Sequence, residues 1–76
     1  MLGYRIILPT TALLREGSRE YIGTLGRDAI VIPTSVADRG GLVEATHDGR
    51  WIRVFERDLL ERSERVDLKE ISRIAT

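Results

Sequence analysis

The chain has 76 residues, enough for one domain, and a domain of this size buries roughly 60% of the surface that its unfolded chain exposes. Twelve Lys and Arg residues balance twelve Asp and Glu residues, so no bulk attraction to nucleic acid or anionic lipid is expected. The absence of cysteine excludes disulfides and thiolate metal sites, and no apolar run reaches the roughly 18 residues of a membrane-spanning helix. We expect a single domain over residues 1–76, either alone or carried by a longer membrane-anchored parent.

The first residues alternate as in a strand. Tyr4, Ile6 and Leu8 fall on one side of an extended chain. Pro9 favours a sheet edge or a turn, because proline has no amide hydrogen for the ladder. The polar stretch Arg15–Arg19 contains a glycine and is predicted to be a loop. The N-terminal segment is therefore predicted to be an entering strand followed by a loop.

The segment Tyr21–Ile32 is rich in β-branched residues and holds two glycines three residues apart, Gly23 and Gly26. A phosphate-binding loop is one interpretation, but it needs a Gly-Lys-Ser/Thr ending or a following helix. A β-rich run follows here instead. We therefore predict one long strand that bends at Gly23 and Gly26, as a small barrel requires.

The strongest local signal is a hairpin in the middle of the chain. A loop ending at Gly41 leads into a candidate strand, Leu42–Thr46. Asp48 and Gly49 then separate it from a second β-rich run, Trp51–Phe55. Asp-Gly between two such runs is typical of a tight two-residue β-turn.

The second strand of this hairpin has two distinct faces. Trp51, Arg53 and Phe55 fall on one side, and Ile52 and Val54 on the other. We predict that Ile52 and Val54 belong to the core. For Trp51, both a surface role and packing in the core are considered.

The C-terminal third is the most charged part of the chain. The stretch Glu56–Arg65 favours either a short helix with its two leucines turned inward or a polar connection. A strand is predicted over Arg65–Lys69, and Ile71 and Ile74 indicate a final short strand or turn. With five or six short strands in total, the predicted fold is all-β, a small five-stranded OB-like or SH3-like barrel with at most one short helix.

No residue pattern indicates catalysis. His47 is the single histidine, so a zinc site has no second imidazole or thiolate ligand. Most carboxylates lie beside arginines, which favours their ionised form rather than a raised pKa. We predict that the chain is not an enzyme and uses no cofactor or metal.

The candidate interaction surface consists of Arg50, Trp51 and Arg53, because Trp and Arg are enriched at binding hot spots. The same three residues are also the basis of an alternative function, binding of single-stranded nucleic acid by a small barrel. Zero net charge and four aromatic residues make this the weaker hypothesis.

Taken together, the glycines and apolar positions resemble a known pattern: Gly23, Gly26, Gly41, Gly49, Val54, Leu60 and Val66. The order of these positions is similar to that of the C-terminal soluble OB-fold domain of NfeD-type membrane proteins and of the related YqiJ-like proteins. The resemblance covers about residues 15–70.

This resemblance implies a non-enzymatic interaction module that acts with stomatin- or flotillin-type scaffolds in membrane organisation. It also implies a location at the cytoplasmic face of a membrane if a longer parent carries the domain, and in the cytoplasm otherwise. An exposed strand edge would support either capture of such a partner or self-association.

Overall fold

The computed structural model describes residues 2–69. They form seven strands and one short helix in this order: β1 Leu2–Ile6, β2 Thr10–Glu16, β3 Arg19–Leu25, β4 Ile30–Pro33, β5 Leu42–His47, β6 Arg50–Phe55, α1 Glu56–Arg62 and β7 Ser63–Asp67. The strands make one antiparallel sheet with the order β3-β2-β6-β5-β4-β1-β7. The predicted all-β class with one short helix is confirmed.

The number of strands and the closure of the sheet differ from the expected five-stranded barrel. β3 and β7 lie at opposite ends of the strand order, and within residues 2–69 they do not pair with each other. The sheet is therefore open rather than a closed barrel. The higher count arises because two segments predicted as single strands each divide into two.

The first division lies at Pro9, between β1 and β2. The carbonyl oxygen of Arg62, at the end of α1, accepts hydrogen bonds from the amides of Ile7 (2.8 Å) and Leu8 (3.1 Å). The buried hydroxyl of Thr10 donates to the carbonyl of Leu8 at 2.8 Å. The backbone groups of this connection thus form their hydrogen bonds outside the sheet ladder. The chain can therefore change direction here without leaving those groups unpaired.

The second division lies within Tyr21–Ile32, and the prediction of one continuous strand there is wrong. The amide of Ala29 donates to the carbonyl of Gly26 at 3.2 Å, which closes a turn between β3 and β4. Asp28 takes a left-handed backbone conformation in this turn, with φ of 72°. Because β3 pairs with β2 while β4 pairs with β1 and β5, the two halves occupy different parts of the sheet.

The core is formed by apolar side chains from β1 to β6 and from α1. Its buried members are Ile6, Ala12, Leu25, Val31, Val43, Ala45, Ile52, Val54 and Leu59. The predicted placement of Ile52 and Val54 in the core is confirmed.

The short helix α1 connects β6 to β7 and contacts both, together with β1. Of its two leucines, Leu59 is buried and Leu60 is exposed, so only one turns inward. β7 begins two residues earlier than the predicted strand Arg65–Lys69, and the predicted final element at Ile71 and Ile74 lies outside the described residues. No helix within residues 2–69 is long and apolar enough to cross a membrane.

Candidate interaction surface

The strand β6 places Trp51 on the surface of the domain. Its side chains alternate between the two faces of the sheet, so Ile52 and Val54 enter the core while Trp51 and Phe55 point away from it. Trp51 is 56% exposed and Phe55 is 42% exposed. Packing of Trp51 in the core, the alternative role considered from the sequence, is therefore not what the structure shows.

Arg50 does not share a face with the other two predicted residues. It closes the β5–β6 hairpin opposite His47, one position before Trp51, and strand alternation turns it to the opposite side from Trp51 and Arg53. The structure thus brings together Trp51 and Arg53, and separates Arg50 from them.

Arg53 forms an ion pair that spans the neighbouring strand β2. Its guanidinium donates to both carboxylate oxygens of Glu20 on β3, with Nε to Oε2 at 3.2 Å. The hydrogen bond from Arg53 lowers the pKa of the Glu20 carboxyl below its usual value, and the same bond raises the pKa of Arg53. The guanidinium of Arg53 is therefore already paired with a carboxylate of its own chain.

Two further apolar residues, which were not identified from the sequence, lie beside this pair. Leu13 of β2 is directly opposite Arg53 on one side and opposite Ile22 of β3 on the other. Directly opposed residues of antiparallel strands share a face. Ile22 is 75% exposed, the highest value among the apolar residues of the strands.

These residues form one surface on β3, β2 and β6, which we call the outer face. It consists of Leu13, Arg15, Glu20, Ile22, Glu44, Trp51, Arg53 and Phe55. A shallow pocket of about 240 Å³ on this face is lined in part by Leu13, Trp51 and Arg53. The face therefore combines exposed apolar side chains with two arginines, Arg15 and Arg53, and two carboxylates, Glu20 and Glu44.

Gly23 lies inside β3 and not in a ligand loop. It pairs with Ala12, and a Cβ atom at this position would overlap the Cδ1 atom of Leu14. The glycine therefore gives room to a leucine of the adjacent strand. Since the register of β2 with β3 is continuous from Thr10 to Glu16, no bulge occurs at Gly23, and the bend expected there stays a prediction.

The other predicted turn residues do lie in turns. Gly26 follows β3 directly. Gly41 has a φ of 81°, and its amide donates to the carbonyl of Asp38 at 3.0 Å. Asp48 and Gly49 have φ values of 50° and 76° in a two-residue hairpin loop, as predicted, and this pair of positive angles is typical of a type I′ turn.

Both ring nitrogens of His47 lie close to groups of its own chain. Its Nδ1 atom lies 2.9 Å from the carbonyl oxygen of Ile30 on β4, and its Nε2 atom lies 3.4 Å from an Asp48 carboxylate oxygen. Among residues 2–69 no group of three or more His, Asp or Glu side chains is placed to hold a metal ion. The absence of catalysis stays a prediction from the sequence.

Within residues 2–69, the outer face combines exposed aromatic side chains with the ion pair of Arg53 and Glu20. Comparisons with protein families, with curated proteins and with solved structures found no match to this chain.

Proposed function

We propose that this chain is a non-catalytic protein-interaction module that binds its partner through the outer face. The observation that carries the proposal is the arrangement of β6, which exposes Trp51 and Phe55 while Ile52 and Val54 anchor the same strand in the core. Side chains on a strand held in this way lose little conformational freedom on binding. Exposed tryptophan on a rigid element is typical of an interface hot spot.

The charges on the outer face support a protein partner over a nucleic acid. Two arginines and two carboxylates lie on it: Arg53 is paired with Glu20, Glu44 lies directly opposite Arg53 on β5, and Arg15 lies directly opposite Glu20 on β2. An arginine held between two carboxylates offers little positive potential to a phosphate backbone. Apolar side chains beside a polar pair match the anatomy of a protein interface, with its apolar centre and polar rim.

The class of partner comes from the resemblance to the soluble domain of NfeD-type proteins. It points to a scaffold protein of the stomatin or flotillin type, and to a place for the module at the cytoplasmic face of a membrane. The seven-stranded open sheet departs from the five-stranded barrel of that resemblance, and the titration below tests the partner class directly.

The test is a titration of the purified chain against a stomatin-type and a flotillin-type scaffold protein, followed by calorimetry or surface plasmon resonance. We expect saturable binding by the natural chain. Trp51→Ala is expected to weaken it by roughly thirtyfold, the effect of losing a hot spot worth about 2 kcal/mol. The fold should persist, because Trp51 is more than half exposed.

The matched control is Leu60→Ala, which removes an exposed apolar side chain from α1 and not from a strand of the outer face. Circular dichroism establishes that both variants are folded. Unchanged binding by Trp51→Ala, or equal losses in the two variants, would place the interface elsewhere. Binding to single-stranded DNA that strengthens steeply as salt falls would overturn the proposal in favour of the nucleic-acid alternative.

A further inference from the structure

One edge of the sheet is open along seven residues. Within residues 2–69, β3 pairs with β2 on one side and has no strand on the other. In an antiparallel ladder alternate residues turn their N–H and C=O groups toward the free side. Such a row of unpaired groups is a template for another strand.

The sequence of β3 does little to prevent this pairing. Its charged residues, Arg19 and Glu20, both lie at its first end, and the stretch Tyr21–Leu25 carries no charge and no proline. The ladder with β2 has no bulge that would twist the edge away. Charge, proline and bulges are the usual protection of an edge strand, and the centre of β3 lacks all three.

We propose that β3 pairs with β3 of a second copy of this chain, antiparallel, about a two-fold axis at Ile22. The proposal concerns the strand edge and does not rest on the proposed function of the outer face. A second copy is favoured because the net charge of the chain is zero, so two copies do not repel each other.

The charges on β3 are compatible with this register and disfavour the one centred on Glu20. An axis at Ile22 puts Glu20 of one copy opposite Thr24 of the other, so that no two like charges are directly opposed. An axis two residues earlier would oppose the two Glu20 carboxylates, which is unfavourable. The chosen register also sets Tyr21 of one copy opposite Gly23 of the other, beside the Leu14 side chain that fills the space over that glycine.

Pairing of two seven-residue strands buries less surface than the roughly 1,200 Å² of a stable complex. The dimer is therefore weak and depends on concentration. Formation of the dimer would also bring the outer faces of the two copies side by side. They would meet at Ile22, which belongs to the outer face and also to the edge strand β3.

The first experiment is sedimentation equilibrium over a concentration series that reaches the millimolar range. We expect the natural chain to pass from monomer to dimer. Ile22→Lys and Ile22→Glu should each stay monomeric, because like charges would meet on the axis, and an equimolar mixture of the two should dimerise. Leu60→Lys, the same change on α1, should dimerise like the natural chain.

The second experiment uses two opposite charges at one position. Thr24 is exposed, and in the proposed register it faces Glu20 of the second copy. Thr24→Lys should tighten the dimer and Thr24→Glu should weaken it, each by roughly twofold to thirtyfold in dissociation constant over two symmetric pairs.

A natural chain that stays monomeric throughout the series overturns the proposal, as does a dimer that persists in both Ile22 variants. A mixture that fails to dimerise, or equal effects of the two Thr24 variants, overturns the register at Ile22. Trp51→Ala should leave the dimer unchanged, so the edge and the proposed function of the outer face can fail separately.

Discussion

The two end strands of the sheet, β7 and β3, are built from different kinds of sequence. β7 has five residues, of which Glu64, Arg65 and Asp67 are charged. β3 has seven residues, and its charges are confined to Arg19 and Glu20 at one end. Short and charged strands resist pairing with other chains, whereas longer uncharged ones favour it. Both surfaces that we propose for interaction, the outer face and the open edge, include β3.

An arginine ties each end strand to the rest of the sheet, but in a different way. Arg5 of β1 donates to Glu64, the residue directly opposite on β7, and to Asp28 at 2.7 Å. The bond to Glu64, followed by the bond to Asp28, raises the pKa of Arg5. At the other end, Arg53 reaches across β2 to Glu20. The ion pair of Arg53 with Glu20 therefore links β6 to β3 across β2. Both of its side chains also belong to the outer face.

The support from the core also differs. At the β7 end, Ile6 of β1 is fully buried and packs with Val31 and Leu59 in the core cluster. At the β3 end, Leu25 is buried, but Ile22 projects to solvent. The difference lies between Ile6 and Ile22 and not between the two end strands as such, since β7 has no buried residue and β3 has Leu25.

The largest expected effect tests this difference with one substitution at two isoleucines. Ile6→Ala should lower the free energy of unfolding by about 2–5 kcal/mol, because it leaves a cavity in a filled core. Ile22→Ala should change it by no more than about 0.5 kcal/mol. Urea denaturation followed by circular dichroism measures both, at a concentration where the chain is monomeric. Similar losses in the two variants would contradict the contrast between the two isoleucines.

A smaller effect is expected from the turn that joins β2 to β3. Gly17 has a φ of 63°, and a Cβ atom added there would have no other atom within 4 Å. Gly17→Ala therefore introduces backbone strain but no steric clash. We expect a loss of about 1–2 kcal/mol, the cost of a left-handed backbone for alanine. Amide hydrogen exchange should show that the loss is confined to the β2–β3 hairpin.

Gly26→Ala is the control for this substitution. Its site is equally open, but its φ lies outside the left-handed region. The change should be neutral or slightly stabilising, because it restricts the unfolded chain. A loss at Gly26 as large as that at Gly17 would argue against strain in the hairpin turn as the cause.

The sequence predicted those parts of the fold that depend on residues close together in the chain. The Asp48–Gly49 turn was predicted because an Asp-Gly pair between β-rich runs leaves few other conformations. The alternation of Trp51 to Phe55 then predicted which side chains of β6 enter the core. The Gly17–Ser18 turn gives a similar signal, but its polar flanks, which lie in β2 and β3, were interpreted as a loop.

The outer face could not be predicted in full because it depends on contacts between distant residues. Leu13 meets Arg53 only through the pairing of β2 with β6, which are separated by three other strands in the sequence. The ion pair between Arg53 and Glu20 needs the same pairing. The break between β3 and β4 was missed because Asp28, although left-handed like Asp48, is followed by alanine and not by the glycine that identified the Asp48–Gly49 turn.

The smallest effect concerns the pH dependence of the ion pair at the β3 end. The hydrogen bond from Arg53 lowers the pKa of Glu20 from its ordinary value of 4.5, so the folded chain holds this carboxylate ionised more firmly than the unfolded chain does. The resulting stabilisation is fully present above that ordinary value and is lost as pH falls through the lowered pKa of the folded state. Glu20→Gln should therefore have a lower free energy of unfolding than the natural chain at neutral pH. In acid, the difference between the two proteins should disappear.

Arg53→Gln and the double variant complete a cycle that isolates the pair from other titrating groups. Thermal unfolding of the four proteins across the acid range gives the coupling between Glu20 and Arg53 at each pH. A coupling that stays constant as the medium becomes acidic would mean that the carboxylate does not determine it. A coupling that vanishes in acid would show that charge holds β3 to β6 across β2, and that the arrangement of the outer face depends on pH.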